Sequence, residues 1–264
     1  MAEMTFWDHI DELRRVLFRV CGVWLVLLVG SFIAMPYLFD TVILAPCHND
    51  FVFYNLLHKV GEVMQLSDDF FTQKFEVKLV NINLASPFFI HMSSAFWLAV
   101  LISVPYMLFE IWGFIRPALY KNEKNNVRMA LCLGTVMFFL GVLLGYFMVF
   151  PLTLRFLATY QISREIVNQI SLNSYIDNFM MLILIMGLVF ELPLVTWLLS
   201  KIGLVNRSML RKYRKHAIVI IFIVAAVITP TGDPFTLSVV AIPLCLLYEM
   251  SIFIIKDKKK EITE

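Results

Sequence analysis

Long uncharged apolar runs are the feature that most constrains how this chain can fold. Residues 20–35, 129–150 and 180–190 contain no Asp, Glu, Lys or Arg. A helix of about 20 mostly apolar residues crosses the hydrocarbon core of a bilayer, and it pairs its backbone groups internally. The alternating pattern of a membrane β-barrel does not occur in this sequence. Since only 16% of the residues are charged, against about a quarter in soluble domains, the sequence predicts an all-α membrane protein.

Six transmembrane helices are predicted, and together they form a single transmembrane domain over residues 1–264. The fifth has only twelve apolar residues between His216 and Thr229, which span about 18 Å of a core about 30 Å thick. Pro243 and Glu249 interrupt the sixth, so the last two helices are expected to be short. The predicted spans are residues 16–38, 87–115, 127–150, 174–200, 216–228 and 235–255.

The distribution of basic residues predicts the orientation of these helices. Of the 22 Lys and Arg residues, 17 fall on one side of the predicted spans and five on the other. The five are Lys59, Lys74, Lys78, Arg155 and Arg164. Loops rich in Lys and Arg remain in the cytoplasm. The sequence therefore predicts that both termini are cytoplasmic.

The segment before the first span has the pattern of an amphipathic helix. Thr5 and Asp8 resemble a capping box, and apolar and charged residues then fall on different helical faces. Such a helix is typical of a membrane surface, so the sequence predicts an interfacial helix that runs into the first span. Its apolar face carries Phe6, Ile10, Leu13 and Leu17, and its charged residues are Asp8, Asp11, Glu12 and Arg15.

Catalytic and metal-binding patterns are not apparent in the sequence. The four cysteines lie far apart, only Cys47 falls in a polar loop, and the histidines lack metal-ligand spacing. There is no phosphate-binding loop and no hydrolase set at membrane depth. We therefore predict no catalytic residue, no metal and no cofactor.

The basic runs at 207–215 and 256–260 favour membrane lipids as partners, because no nucleic-acid recognition motif accompanies them.

Several short motifs, in order along nearly the whole chain, give the sequence a specific resemblance. Taken together, they resemble the TatC family, the receptor subunits of twin-arginine protein export. The motifs are HIDELRR at residues 9–15, LAP at 44–46, SPFF at 86–89, RPALYKNE at 116–123, FELP at 190–193 and TPTGD at 229–233.

This resemblance implies a receptor in the bacterial cytoplasmic membrane and no enzyme. It implies that Glu12 and Glu123 recognise the paired arginines of signal peptides on folded cargo proteins, and that Leu13 and Arg14 belong to the same binding site. Carboxylates bind guanidinium groups in a bidentate, charge-assisted geometry. The implied partners are TatA- and TatB-type subunits and further copies of the chain, with the proton-motive force as the energy source.

Glu191 is the most costly charge in the sequence. It lies nine residues before Ser200, or about 14 Å along a helix, so it is predicted near the bilayer midplane, where an acidic residue costs about 3 kcal/mol. It is interpreted as a polar docking point for a partner or as part of a wet cavity, with helix packing as the alternative. Pro46, Phe88 and Asp233 match further family positions.

Two features leave other interpretations open. A secondary transporter or ion channel could use Glu191, and it would need a continuous polar pathway across the membrane. Glu110 departs from the glutamine that is common in the family, and it lies about 9 Å from Arg116 along a helix, so it could reach the interface. Whether Glu110 strengthens arginine recognition does not follow from the sequence.

Overall fold

The structure is a computed structural model that describes residues 6–63, 75–115, 124–161, 163, 168–201, 203–229 and 232–255. Helices dominate these ranges, as the apolar runs predict. The α-helices are α1 (Phe6–Leu38), α2 (Val52–Val63), α3 (Ser86–Ile115), α4 (Lys124–Leu144), α5 (Phe150–Thr159), α6 (Leu172–Val189), α7 (Leu192–Lys201), α8 (Arg207–Lys212), α9 (Arg214–Ile228) and α10 (Pro234–Ile254). Two short strands are β1 (Leu79–Val80) and β2 (Ile170–Ser171), which pair in parallel.

Five helical stretches among the described residues are long and apolar enough to cross a membrane. They are Ile10–Lys59, Ser86–Ile111, Cys132–Thr159, Leu172–Lys201 and Pro234–Ile254.

The last two predicted spans differ from each other in the structure. Helix α9 is short, with 15 residues. The expectation that the last helix is also short is wrong, because α10 runs unbroken for 21 residues, or about 31 Å. Pro243 removes only one backbone hydrogen bond, and Glu249 pairs with Arg214 of α9.

The predicted interfacial segment is the first part of α1 and not a separate helix. Helix α1 has 33 residues, about 50 Å, and it continues without a break through the predicted boundary at Val16. The apolar side chains of Ile10, Leu13 and Leu17 are exposed on this first part. Thr5, the predicted capping residue, lies outside the described residues.

Helices α1 and α3 pack against each other in antiparallel orientation. The rings of Trp24 and Phe96 meet edge to face with centroids 5.1 Å apart. Further along α1, Phe32 stacks on His91 with centroids 4.2 Å apart. Because the contacts move toward the start of α3 as α1 advances, the first turns of α1 lie beside the last turns of α3.

Glycines allow α4 and α6 to approach closely. A Cβ atom added at Gly141 would lie 2.5 Å from the backbone oxygen of Met186, and one added at Gly187 would lie 2.7 Å from the ring of Phe138. Small residues at such an interface permit the backbone contact that associates helices in a bilayer. These two helices therefore form a tight pair next to the α1–α3 pair.

The fourth predicted span, residues 174–200, consists of two helices rather than one. Helix α6 ends at Val189 and α7 begins at Leu192, so the turn between them contains Phe190 and Glu191. Pro193 has no N–H and cannot donate to the carbonyl of Val189. The missing hydrogen bond weakens the helix at this position, and the N–H of Glu191 bonds instead to the carbonyl of Leu188, three residues back, at 3.1 Å.

We use the term loop cap for residues 39–63 and 75–85, which lie between the end of α1 and the start of α3. Tyr54 is fully buried in this cap, and its hydroxyl donates to the carbonyl of Pro46 at 2.8 Å. Cys47, predicted in a polar loop, is only 3% exposed. The cap is therefore a packed unit in its described residues.

Arg155 is buried against the loop cap, whereas the sequence placed it in an outer loop. After α4, the helical chain passes through a π-helical turn at Gly145–Val149 and continues as α5, which carries it beyond residue 150. Arg155 is 1% exposed, with its guanidinium carbon 5.6 Å from the ring centroid of Tyr54 and 5.4 Å from that of Phe75. Aromatic ring faces attract a cation, which explains why this charge is accommodated inside the fold.

Candidate functional site

The predicted recognition residues of α1 lie at its start, beside the end of α3. Glu12 is half-buried, whereas Leu13 and Arg14 are exposed. The guanidinium carbon of Arg14 lies 5.6 Å from the ring centroid of Phe18. Glu123 falls outside the described residues, directly before Lys124, the first residue of α4. Of the two carboxylates predicted to recognise arginine, the structure therefore describes Glu12 and not Glu123.

A second carboxylate lies at the same end of the molecule. Glu110 of α3 has its Oε2 atom 3.0 Å from Nη2 of Arg19 on α1. Tyr106, one turn earlier on α3, donates its hydroxyl to Oε1 of Glu110 at 2.8 Å. The Glu110 side chain is 10% exposed and that of Arg19 is 57% exposed. Both carboxylate oxygens are therefore engaged, one by a guanidinium group and one by a phenol.

Sequence reasoning did not find this pairing, because α1 and α3 are separated by the whole loop cap. Two signals were nevertheless present. Glu110 is a carboxylate inside an apolar span, and such a charge requires a partner. Arg19 lies two helical turns after Glu12, which places the two side chains on the same face of α1.

Glu191 is buried at the turn between α6 and α7. It is 7% exposed, and neither carboxylate oxygen has a hydrogen-bond partner among the described residues. A Cβ atom added at Gly134 of α4 would lie 3.1 Å from Oε2 of Glu191 and 2.5 Å from Cδ2 of Leu194. The absent side chain of Gly134 is therefore what lets this carboxyl group rest against α4.

The other family-matched residues lie at the opposite end from Glu12. Pro46 is buried in a short 3-10 helix, and its carbonyl accepts from Tyr54. Asp233 caps α10 by accepting from the backbone N–H of Thr236 at 2.7 Å. Phe88 is exposed in the first turn of α3. Pro46 and Asp233 thus fix local backbone geometry, and Phe88 presents an uncovered ring.

The five long apolar helical stretches define the class of this molecule as a polytopic helical membrane protein. In the part of the chain that the structure describes, no three His, Cys, Asp or Glu side chains are grouped so that they could hold a metal ion. The family model described as Sec-independent protein translocase protein (TatC) matches residues 8–243. The chain belongs to the TatC family, and the resemblance inferred from its ordered motifs is confirmed.

Individual relatives match over nearly their whole length. The chain is 38% identical over 259 residues to a Sec-independent protein translocase protein TatC of Blattabacterium, covering 96% of this chain and 95% of that one. It is 36% identical over 248 residues to the protein of the same name from Helicobacter pylori strain J99, covering 94% and 87%. These are protein-transport components, so the chain is a transport component rather than an enzyme, and the secondary-transporter or ion-channel alternative is not supported.

Solved structures give the same result for the fold. A crystal structure of the twin arginine translocase receptor TatC is similar to this chain with a TM-score of 0.72 and 31% identity. The match covers 93% of this chain and 96% of the other. A second crystal structure of that receptor, in the detergent DDM, gives a TM-score of 0.73. The all-helical membrane fold predicted from the apolar runs is therefore that of the TatC family.

Proposed function

We propose that this chain is a receptor that binds twin-arginine signal peptides of folded cargo proteins and nucleates the export complex with TatA- and TatB-type subunits. The solved structures similar to it are described as twin arginine translocase receptors. The match extends over nearly the whole of both chains, so it includes the end of the molecule that carries Glu12. Further copies of the chain and membrane lipids complete the proposed set of partners.

The proposed topology has six membrane crossings within a single domain in the bacterial cytoplasmic membrane, with both termini in the cytoplasm. The five long helical stretches support five crossings, and α9 is proposed as a short sixth. The asymmetry of 17 basic residues against five supports the orientation. The exposed basic side chains of α8, at Arg211 and Lys212, lie close to the start of α9 on the proposed cytoplasmic side.

Recognition is proposed to involve Glu12 and Glu123, with Leu13 and Arg14 on the same surface. The observation that carries this proposal is the position of Glu12, half-buried where α1 lies beside the end of α3. Glu123 is joined directly to the first residue of α4 in the segment that follows α3, so chain connectivity supports a location at the same end. Two carboxylates there would offer bidentate partners to two guanidinium groups.

Binding of a fluorescent twin-arginine peptide to the purified protein tests this assignment. Hydrogen bonds to charged groups contribute about 1.5–3 kcal/mol, so Glu12→Ala and Glu123→Ala are each expected to weaken binding by at least about tenfold. Glu62→Ala, which changes an exposed carboxylate on α2 in the loop cap, is the matched control and should leave binding unchanged. Added salt should weaken binding, because the surface faces water. Unchanged affinity in both single variants and in the double variant would contradict the assignment.

Glu191 is proposed as a docking point for a transmembrane partner helix. A buried polar group without a hydrogen bond is costly, so a polar side chain from a partner would relieve an existing penalty. Interhelical hydrogen bonds in bilayers contribute about 1 kcal/mol. The absence of a partner for either Glu191 oxygen among the described residues supports this role. The competing explanation is that Glu191 only packs the α4–α7 contact.

A further inference from the structure

The contact among Arg19, Glu110 and Tyr106 has the form of an arginine-binding site. One oxygen of Glu110 holds a guanidinium nitrogen at 3.0 Å, and the other accepts the hydroxyl of Tyr106 at 2.8 Å. The phenol and the α-helical backbone of α3 fix the carboxylate, whose side chain is only 10% exposed. The arginine in this site is the exposed component, at 57%. A fixed acceptor thus holds a guanidinium group that solvent can reach.

The site is continuous with the proposed recognition surface. Arg19 lies seven residues after Glu12, or two helical turns and about 10.5 Å along α1. Val16, between them on the same face, is buried at 7% exposure and Glu12 is half-buried. This face of α1 is therefore turned toward neighbouring protein. Glu12 and Glu110 therefore both lie where the first part of α1 packs beside the last part of α3.

We propose that Glu110 is an additional arginine-binding carboxylate of the receptor, and that Arg19 occupies it until an arginine of the signal peptide displaces it. This inference rests on the proposed receptor function. The exchange replaces one guanidinium group with another on the same carboxylate, so the charge balance of the buried site is preserved. The released Arg19 extends its guanidinium group into water, as long basic side chains do where apolar surface meets water.

The exchange favours arginine over lysine in the peptide. A guanidinium group is planar and presents several N–H donors, whereas an ammonium group is a compact point charge. The incoming side chain must replace a guanidinium group that is already bound, so an ammonium group competes poorly. Arg19 would therefore increase discrimination against peptides in which lysine replaces arginine, while it reduces the absolute affinity for the correct peptide.

A simple tether between α1 and α3 is the competing explanation, and peptide affinity separates the two. Exposed ion pairs contribute about 0.2–1 kcal/mol, so removing the competitor with Arg19→Gln is expected to tighten binding of a twin-arginine peptide by about 1.4-fold to fivefold. A tether predicts lower thermal stability with no increase in affinity. The measurement uses the full chain purified in detergent and a fluorescent twin-arginine peptide.

Two matched variants control for the loss of a positive charge. Arg15→Gln removes an exposed charge one turn away on α1, and Arg214→Gln breaks the ion pair with Glu249. Neither should tighten binding as much as Arg19→Gln. In a Glu110→Gln background, the effect of Arg19→Gln should fall to that of Arg15→Gln, because the competed carboxylate is gone. Arg19→Lys keeps the positive charge but loses the planar guanidinium group. It should also tighten peptide binding, by a smaller factor than Arg19→Gln.

The outcomes separate this inference from the proposed function. The inference is overturned if Arg19→Gln binds no tighter than Arg15→Gln, or if the gain persists in the Glu110→Gln background. If Arg19→Gln does not fold, Arg19→Lys decides, and an unchanged affinity in that variant overturns the inference. The receptor function itself fails only if the parent chain does not distinguish twin-arginine from twin-lysine peptides.

Discussion

Replacing Gly141 with alanine tests the close contact between α4 and α6. A Cβ atom at this position would lie 2.5 Å from the backbone oxygen of Met186 and 2.8 Å from the side chain of Phe190. Ordinary van der Waals contact begins at 3.4 Å, so the two helices must move apart by about 0.9 Å. Rotation of a side chain cannot relieve the overlap, because the nearest atom belongs to the backbone.

The size of the effect follows from two opposing contributions. Overpacking a well-packed interface costs about 1–3 kcal/mol, whereas exchanging Gly for Ala inside a helix gains about 1 kcal/mol. Gly22→Ala isolates the second contribution, because a Cβ atom at Gly22 would meet nothing within 4 Å. The difference in stability between the two variants is therefore the packing cost, which corresponds to a Tm lower by about 2–12 °C in Gly141→Ala.

Thermal unfolding of the purified variants, followed by circular dichroism, measures this difference. The overlap lies beside the turn that carries Glu191, so Gly141→Ala should also reduce recruitment of a TatA-type partner. Twin-arginine peptide binding should change little, because Glu12 and Glu110 lie on α1 and α3. A Tm for Gly141→Ala equal to or above that of Gly22→Ala would refute the close-packing argument.

Two further predictions concern partner docking and orientation. Glu191→Gln keeps the size and hydrogen bonding of the side chain, so it should retain most recruitment of a TatA-type partner in reconstituted membranes. Glu191→Ala should lose that recruitment, while crosslinking to a twin-arginine peptide persists. Normal recruitment by the alanine variant would leave only the packing role for Glu191. In intact cells, a membrane-impermeant thiol reagent should label Leu84→Cys in the loop cap and should not label Leu204→Cys before α8, and the reverse pattern would overturn the orientation. Both positions are exposed, and the native Cys47 is buried and should stay unlabelled.

The positions of the long helices could be predicted because the apolar runs determine them. Helix α3 covers Ser86–Ile115, one residue more than the predicted span, and α1 ends at Leu38 as predicted. In these helices, burial in the bilayer and the local turn signals favour the same boundaries. The family was likewise predictable, because short motifs in a fixed order are local information.

Features that depend on distant segments could not be predicted. Arg155 was placed in a loop because an isolated charge in a membrane helix is costly. The rings of Tyr54 and Phe75, which accommodate it, come from elsewhere in the chain. The pairing of Arg19 with Glu110 depends in the same way on how α1 packs on α3. Pro193 was a visible signal for the interruption beside Glu191, but its effect on the helix depends on the surrounding packing.

Mapping where a bound signal peptide contacts the chain tests the receptor proposal most directly. A twin-arginine peptide with a photoreactive diazirine next to its arginines would be irradiated with the purified protein, and the adducts would be located by mass spectrometry. The account predicts adducts within residues 9–19 and 106–123, removed by excess unlabelled twin-arginine peptide and much reduced when both arginines are replaced by lysine. Adducts concentrated in the loop cap, or equal capture of the lysine peptide, would contradict it.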